Sequence, residues 1–136
     1  MLKNAVFPEG MIGLGSRAFE NCTELVNVKL PSTLLNIGSR AFRNCSSMTE
    51  IIIPNGTKRI NKNAFENCTK LQKIVIPASI KFLGEDVFKG CTDLKNITLP
   101  EHLMQYKDKL GIAPEIVKSS GKTPENSSKE ASGSDS

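Results

Sequence analysis

The sequence predicts an α/β repeat solenoid, and three registers of residues predict it. Phenylalanine stands at Phe19, Phe42, Phe65 and Phe88, cysteine at Cys22, Cys45, Cys68 and Cys91, and proline at Pro8, Pro31, Pro54, Pro77 and Pro100. Neighbours in each series are 23 residues apart, with no insertion or deletion between them. A fixed period of roughly 20 to 50 residues means stacked units, each burying its apolar face against the next. Such a stack grows by accretion and needs no closed globular core, so 136 residues suffice for one domain.

The chain enters in mid-unit, with Leu2, Ala5, Phe7 and Pro8 in the strand and proline columns. Four complete units follow. Before each later proline lies an alternating segment, Leu25-x-x-Val28-x-Leu30, Met48-x-x-Ile51-x-Ile53, Leu71-x-x-Ile74-x-Ile76 and Leu94-x-x-Ile97-x-Leu99. Period-two apolar spacing with β-branched residues predicts a short strand with one buried face. Proline cannot donate to a ladder, so it ends every strand at the same height. Two more apolar columns follow, Leu34/Thr57/Ile80/Leu103 and Ile37/Ile60/Leu83/Tyr106. The next column, Gly15, Gly38, Asn61 and Gly84, holds residues that tolerate positive φ and predicts a left-handed corner. Ala-Phe-x-x-Cys then closes the coil as an inward-facing turn of helix. Each unit is thus strand, corner, short helical or irregular arc, and back. Strands stacked at about 4.8 Å give a parallel sheet on the concave side and arcs on the convex side.

At the far end the corner becomes Lys107 and the phenylalanine column becomes Gly111, so the repeat is expected to stop near Tyr106. Residues 1–106 form the predicted solenoid, half a rung plus four 23-residue repeats, and residues 107–136 a cap remnant and disordered tail. A short helix over Glu101–Leu110 is expected to cover the last rung with Leu103, Tyr106 and Leu110. From Gly111 the chain is rich in Ser, Gly, Pro, Lys and Glu, a composition that predicts disorder.

These residues resemble the BspA-like class of leucine-rich repeat, whose unit runs approximately L-x-x-I-x-I-P-x-x-V-x-x-I-G-x-x-A-F-x-x-C. The match runs through residues 1–106 and includes the I-P, I-G and A-F-x-x-C elements. The resemblance implies a right-handed, horseshoe-like leucine-rich-repeat coil and a role in protein recognition, often as surface-antigen or adhesion-type repeats displayed by bacteria and protist parasites. It implies no catalytic residues.

Other readings are excluded by context. Gly13-Leu14-Gly15-Ser16-Arg17-Ala18 fits a dinucleotide-binding pattern, but Gly15 and Ala18 belong to repeat columns and no βαβ unit follows. The cysteines lack the short pair spacing of a zinc site. In a ladder they point in parallel rather than at each other, which predicts buried, reduced thiols rather than disulfides. His102, the only histidine, has no placed catalytic partner and is expected at a solvated end. No enzyme and no cofactor are predicted. Asn-x-Ser/Thr triplets at Asn21, Asn44, Asn55, Asn67, Asn96 and Asn126 are read first as turn chemistry, in which short polar side chains cap nearby backbone. They become glycosylation candidates if the chain is secreted. No apolar run approaches the roughly 18 residues of a membrane span. The segment MLKNAVFPEG lacks the apolar stretch of an export signal, so the sequence as written reads as cytoplasmic, against the surface display that the resemblance implies.

Binding is predicted on the strands. Between the buried positions, the columns Asn4/Asn27/Glu50/Lys73/Asn96 and Val6/Lys29/Ile52/Val75/Thr98 face the concave side. Ile52 and Val75 form an adjacent apolar pair rimmed by Lys29, Glu50 and Lys73, the composition of a protein contact. The candidate partner site is Asn27, Lys29, Glu50, Ile52, Lys73, Val75, Asn96 and Thr98. A second candidate is a basic patch of Arg40, Arg43, Lys58, Arg59 and Lys62 from two adjacent rungs. The patch has no aromatic platform in the linear sequence, which disfavours single-stranded nucleic acid. The net charge of +4 over so long a surface argues the same way. Glu20, Arg43, Glu66 and Lys89 alternate in sign and are expected to hold the rungs in register. The first strand, Leu2–Phe7, leaves an edge open and predicts self-association through it, or further rungs, with core side chains such as Leu14 exposed. The leading function is therefore a non-catalytic protein-interaction module. The alternatives are a structural fragment of a larger repeat protein and, third, a weak basic-surface nucleic-acid binder.

Overall fold

The computed structural model describes residues 3–121. Leu2, the Asn126 triplet and the end of the tail lie outside the described residues. Nine short strands follow one another: β1 (Asn4–Val6), β2 (Gly13–Leu14), β3 (Asn27–Lys29), β4 (Asn36–Ile37), β5 (Arg59–Ile60), β6 (Lys73–Val75), β7 (Phe82–Leu83), β8 (Asn96–Leu99) and β9 (Val117–Ser119). All pairings are parallel, and within the repeat each residue faces its equivalent one period on, as in Asn4↔Asn27, Ile37↔Ile60 and Val75↔Thr98. One apolar core runs the length of the coil, from Ala5 to Val117.

The strands before the prolines form the expected sheet, but in two pieces, β1–β3 and β6–β8–β9. Residues 50–53 lie between the pieces and are tied to β6 by a single bridge, Glu50↔Lys73. A further sheet, β2–β4–β5–β7, was not expected. Its strands are two residues long, as at Asn36 and Ile37, where the first side chain faces outward and the second is fully buried, the inside-outside step of extended backbone. The arcs carry their own ladder, in which the Phe19, Phe42, Phe65 and Phe88 amides donate to the Ala41, Ala64, Val87 and Leu110 carbonyls.

The corner is not where glycine predicted it. Positive φ falls two residues later, at Arg17, Arg40, Asn63 and Asp86 (56–62°), and again at Asn21, Asn44, Asn67 and Gly90. The glycine column instead answers to close approach of backbones. A Cβ on Gly38 would sit 2.7 Å from the Leu14 oxygen, and one on Gly84 would sit 2.4 Å from the Lys62 nitrogen. In the same column the Asn61 amide donates to the Ile37 carbonyl at 2.8 Å.

Inside the coil the phenylalanines stack face to face, with centroids 5.6, 5.5 and 5.9 Å apart between successive rungs. Phe7 meets the end of this stack edge-on, 5.4 Å from Phe19. That contact covers the first full rung, and Leu14 is buried rather than exposed. Thr57 stands in an otherwise apolar column. It is fully buried because its hydroxyl donates to the Leu34 carbonyl at 2.9 Å. The asparagine turns bond differently from the capping expected. Asn44 donates to the Asn21 side chain at 2.6 Å and Asn67 to that of Asn44 at 3.0 Å, so these amides ladder with one another.

The C-terminal end also departs from expectation. A 3-10 helix over Glu101–Lys109 covers the last rung with Leu103, and the following Leu110 is equally buried, but Tyr106 turns outward. His102 is not simply solvated, since its Nε2 lies 2.8 Å from the Ile80 carbonyl. Gly111 replaces phenylalanine because it lies at φ 85° against Lys89, where a Cβ would come within 2.8 Å of Cα. The segment from Gly111, read as disordered, carries a second short helix at Pro114–Ile116 and then β9, which pairs with β8 through Ile97↔Val117.

The cysteines are free, three of them buried and Cys22 half-buried. The thiols of Cys45, Cys68 and Cys91 lie 3.2, 3.2 and 3.1 Å from the carbonyls of Phe19, Phe42 and Phe65. Burial pushes Cys45 and Cys91 from the ordinary 9.0 up to about 12, and Cys68 is pushed up as well. A thiolate-directed reagent at mildly alkaline pH is therefore expected to modify Cys22 first and the other three only on unfolding. These thiols stay neutral in the fold above 9.0, whereas unfolded thiols ionise there. Their contribution to stability is full below about pH 9 and falls as pH rises toward 12. Denaturant midpoints that do not fall between pH 8.5 and 10.5 in wild type relative to a Cys45→Ala/Cys91→Ala variant would contradict this.

Candidate functional site

The concave columns are built by the strand rule. Ala5, Ile51, Ile74 and Ile97 point into the core, so their neighbours on either side point out. Asn27, Lys29, Glu50, Ile52, Lys73, Val75 and Asn96 are exposed, and Thr98 is half-buried. Register brings them together. The Glu50↔Lys73 bridge sets those side chains next to each other and places Ile52 beside Val75 two residues on. Ile52 is 79% exposed and Val75 61%. Depressions flank Ile52 on both sides, one floored by Val28 and Ile51, the other by Ile51 and Ile74. At the N-terminal end Val6, 77% exposed, continues the same column, and the Asn27 amide bonds the Asn4 side chain at 2.7 Å.

Lys118 is a member of this surface that the repeat did not reveal. It pairs with Thr98 and extends the column Val6/Lys29/Ile52/Val75/Thr98 by one rung. Its strand returns 20 residues after Thr98 rather than after a full period, so column counting passes over it.

The five cations of the basic patch are placed differently. Arg43 is clamped between two carboxylates, with Nε 2.9 Å from Glu66 and Nη1 3.0 Å from Glu20. Glu20, accepting first from Arg17 and then from Arg43, has its pKa lowered, and Arg43 has its pKa raised by the hydrogen bonds it donates to Glu20 and then Glu66. The expected alternation thus links the rungs of Glu20, Arg43 and Glu66, but Lys89, its fourth member, makes no ion pair among the described residues. Arg40 stays beside Lys62 through its amide, which donates to the Lys62 carbonyl. Arg59 lies in β5 of the second sheet, with Lys58 just before the strand and Lys62 in the turn after it. Arg59 pairs with Phe82, and its guanidinium lies 4.4 Å from the ring centroid. The sequence shows no aromatic near these cations because Phe82 is a full period away; stacking supplies one.

Beside Phe82 a cleft opens over Leu83 and Gly84, bounded by Tyr106 and Lys62. Ile37 and Ile60, the equivalents of Leu83 in earlier rungs, are completely buried, while Leu83 is partly open. The outward turn of Tyr106 leaves that column uncovered. Among the described residues no group of three or more His, Cys, Asp and Glu is arranged to hold a metal ion, and no helix is long and apolar enough to cross a membrane.

Parallel ladders at a constant period, a proline-terminated strand and an inward Phe/Cys arc define a leucine-rich-repeat solenoid. The chain belongs to the BspA type leucine rich repeat family, whose profile matches residues 1–110 in six copies. A leucine-rich repeat protein from Bacteroides ovatus is 32% identical with a TM-score of 0.77, over 87% of this chain and 30% of that one. A leucine rich cell surface protein from Faecalibacterium prausnitzii shares the fold at 24% identity and a TM-score of 0.65, over 81% of this chain and 35% of that one. The leucine-rich repeat protein of T. pallidum does so at 19% identity and a TM-score of 0.58, over 90% and 87%. The chain therefore spans about a third of the length of the first two. No curated protein matches it.

Proposed function

We propose that the chain is a non-catalytic protein-interaction module that binds its partner through the concave columns centred on Ile52 and Val75. The observation that carries this reading is the exposure of those two side chains, 79% and 61%, side by side in neighbouring rungs of one column. Water-exposed β-branched neighbours offer apolar area to a partner at little entropic cost, since their rotamers are already restricted. Glu50, Lys73, Lys29 and Lys118 supply a charged rim that would set orientation more than affinity. Display at a cell surface, as the name of the F. prausnitzii protein describes for that protein, is part of the proposal.

A second reading, a structural segment of a larger repeat array with no partner of its own, is favoured by the 30% share of the Bacteroides protein that the chain matches. Affinity capture from the source cell with wild type and with an Ile52→Lys/Val75→Glu variant separates the two. Both positions are exposed, so the variant is expected to melt within a few degrees of wild type. We expect at least one stoichiometric partner to be lost from the variant. The same proteins recovered with both, or none with either, would remove the concave site and leave the structural reading.

A further inference from the structure

We propose that the cleft between Phe82 and Tyr106 on the second sheet is a separate docking site for an acidic peptide segment with an apolar anchor residue. It shares no residue with the concave columns and does not depend on them. The first observation is the opening itself. The column Ile37/Ile60/Leu83 is closed in two rungs and open at the third, where Tyr106 is 36% exposed and Phe82 42%. The space is about 460 Å³, room for one or two side chains rather than a folded domain. Leu83 and the backbone of Gly84, which is packed against the Lys62 main chain, line its inner wall.

The second observation is charge. Lys62 borders the cleft and Arg59 lies on Phe82. Lys58 and Lys81 are brought side by side next to that pair, since the Lys81 and Phe82 amides both donate to the Lys58 carbonyl. Glu85 is the acidic residue at the cleft. Unlike Arg43, these cations are exposed, and no ion pair to Arg59, Lys58, Lys62 or Lys81 occurs among the described residues. Four cations beside an apolar slot complement carboxylates beside an apolar side chain.

The geometry favours a peptide over single-stranded nucleic acid. Base stacking needs a free aromatic face, and the Arg59 guanidinium already lies over the Phe82 ring. What remains of the ring suits aliphatic or edge contact. Carboxylates from glutamate or aspartate would then reach Arg59 and Lys62 as charge-assisted hydrogen bonds.

Fluorescence anisotropy with the whole chain tests this, using labelled peptides in which a Leu-Phe pair is flanked by glutamates. The controls are a glutamate-only peptide, a lysine-flanked Leu-Phe peptide and oligo-dT. We expect saturable binding of the first peptide alone. Lys62→Glu and, independently, Tyr106→Ser should each weaken it by about tenfold or more. Both residues are exposed, so circular dichroism should show these variants folded, and Ile52→Lys/Val75→Glu should bind like wild type. Equal binding of the glutamate-only peptide would reduce the cleft to a basic surface. Tighter binding of oligo-dT through Lys62 would assign the face to nucleic acid, and no saturable binding at all would end the proposal.

Discussion

Replacing Phe65 by alanine is expected to cost about 3–5 kcal/mol, enough to unfold much of the chain at room temperature. Phe65 is fully buried and stacked on both faces, 5.5 Å from Phe42 and 5.9 Å from Phe88. Its truncation therefore removes two ring contacts as well as apolar area. The cavity would sit in mid-ladder, where the arc backbone is pinned by amide bonds from Phe42 to Ala64 and from Phe65 to Val87 and has little freedom to collapse. Phe7, half-buried at the end of the stack, gives the comparison. Phe7→Ala should cost clearly less, because the site is open on one side. Urea denaturation of both variants checks the order. Equal costs would show that the stack does not carry the central rungs.

The second large effect is expected from a single methyl group. Gly84→Ala places a Cβ 2.4 Å from the Lys62 nitrogen and 2.7 Å from Lys62 Cα, and main chain cannot rotate away as a side-chain tip can. The rungs must separate locally at β5 and β7, whose ladder runs through Ile60 and Leu83 immediately before Gly84. We expect a loss of about 3 kcal/mol, the upper end of over-packing costs. Gly15→Ala is the control in the same column, because nothing lies within 4 Å of its Cβ. It should stay within about 0.5 kcal/mol of wild type. Thermal melts of the two variants decide the matter. If both are neutral, the column tolerates side chains and close approach is not why glycine recurs there.

Glycine in this column illustrates the boundary between what sequence and packing each decide. Its recurrence at Gly15, Gly38 and Gly84 is plain in the chain, and a left-handed corner is the usual reason for such a column. The positive φ angles belong instead to Arg17, Arg40, Asn63 and Asp86, which share no side-chain chemistry, and to Asn21, Asn44, Asn67 and Gly90, where the Asn/Gly pattern does recur four residues further on. A contact between rungs has no local signature. The reason for the glycine exists only once two coils lie against each other.

The candidate sites divide in the same way. Inside-outside alternation along a strand is a property of the backbone, so the exposure of Ile52 and Val75 followed from the position of Ile51, Ile53, Ile74 and Ile76. The period placed the two in adjacent rungs, and the structure agrees. Lys118 escaped because β9 returns by a shorter route than the repeat, around helices that residue columns do not describe.

By itself, then, the sequence determined the period, the inward columns, the phenylalanine and cysteine ladders and the charged register of Glu20, Arg43 and Glu66. Each of these is a relation between a residue and its own equivalent one rung away, and such relations are printed in the chain. The tertiary structure alone decided that Arg59 lies on Phe82, that Tyr106 turns out and opens Leu83, that Phe7 caps the aromatic stack and that β9 completes the sheet. These are contacts between unlike positions, or at the ends where periodicity fails, and packing chooses among them only after the coil has formed.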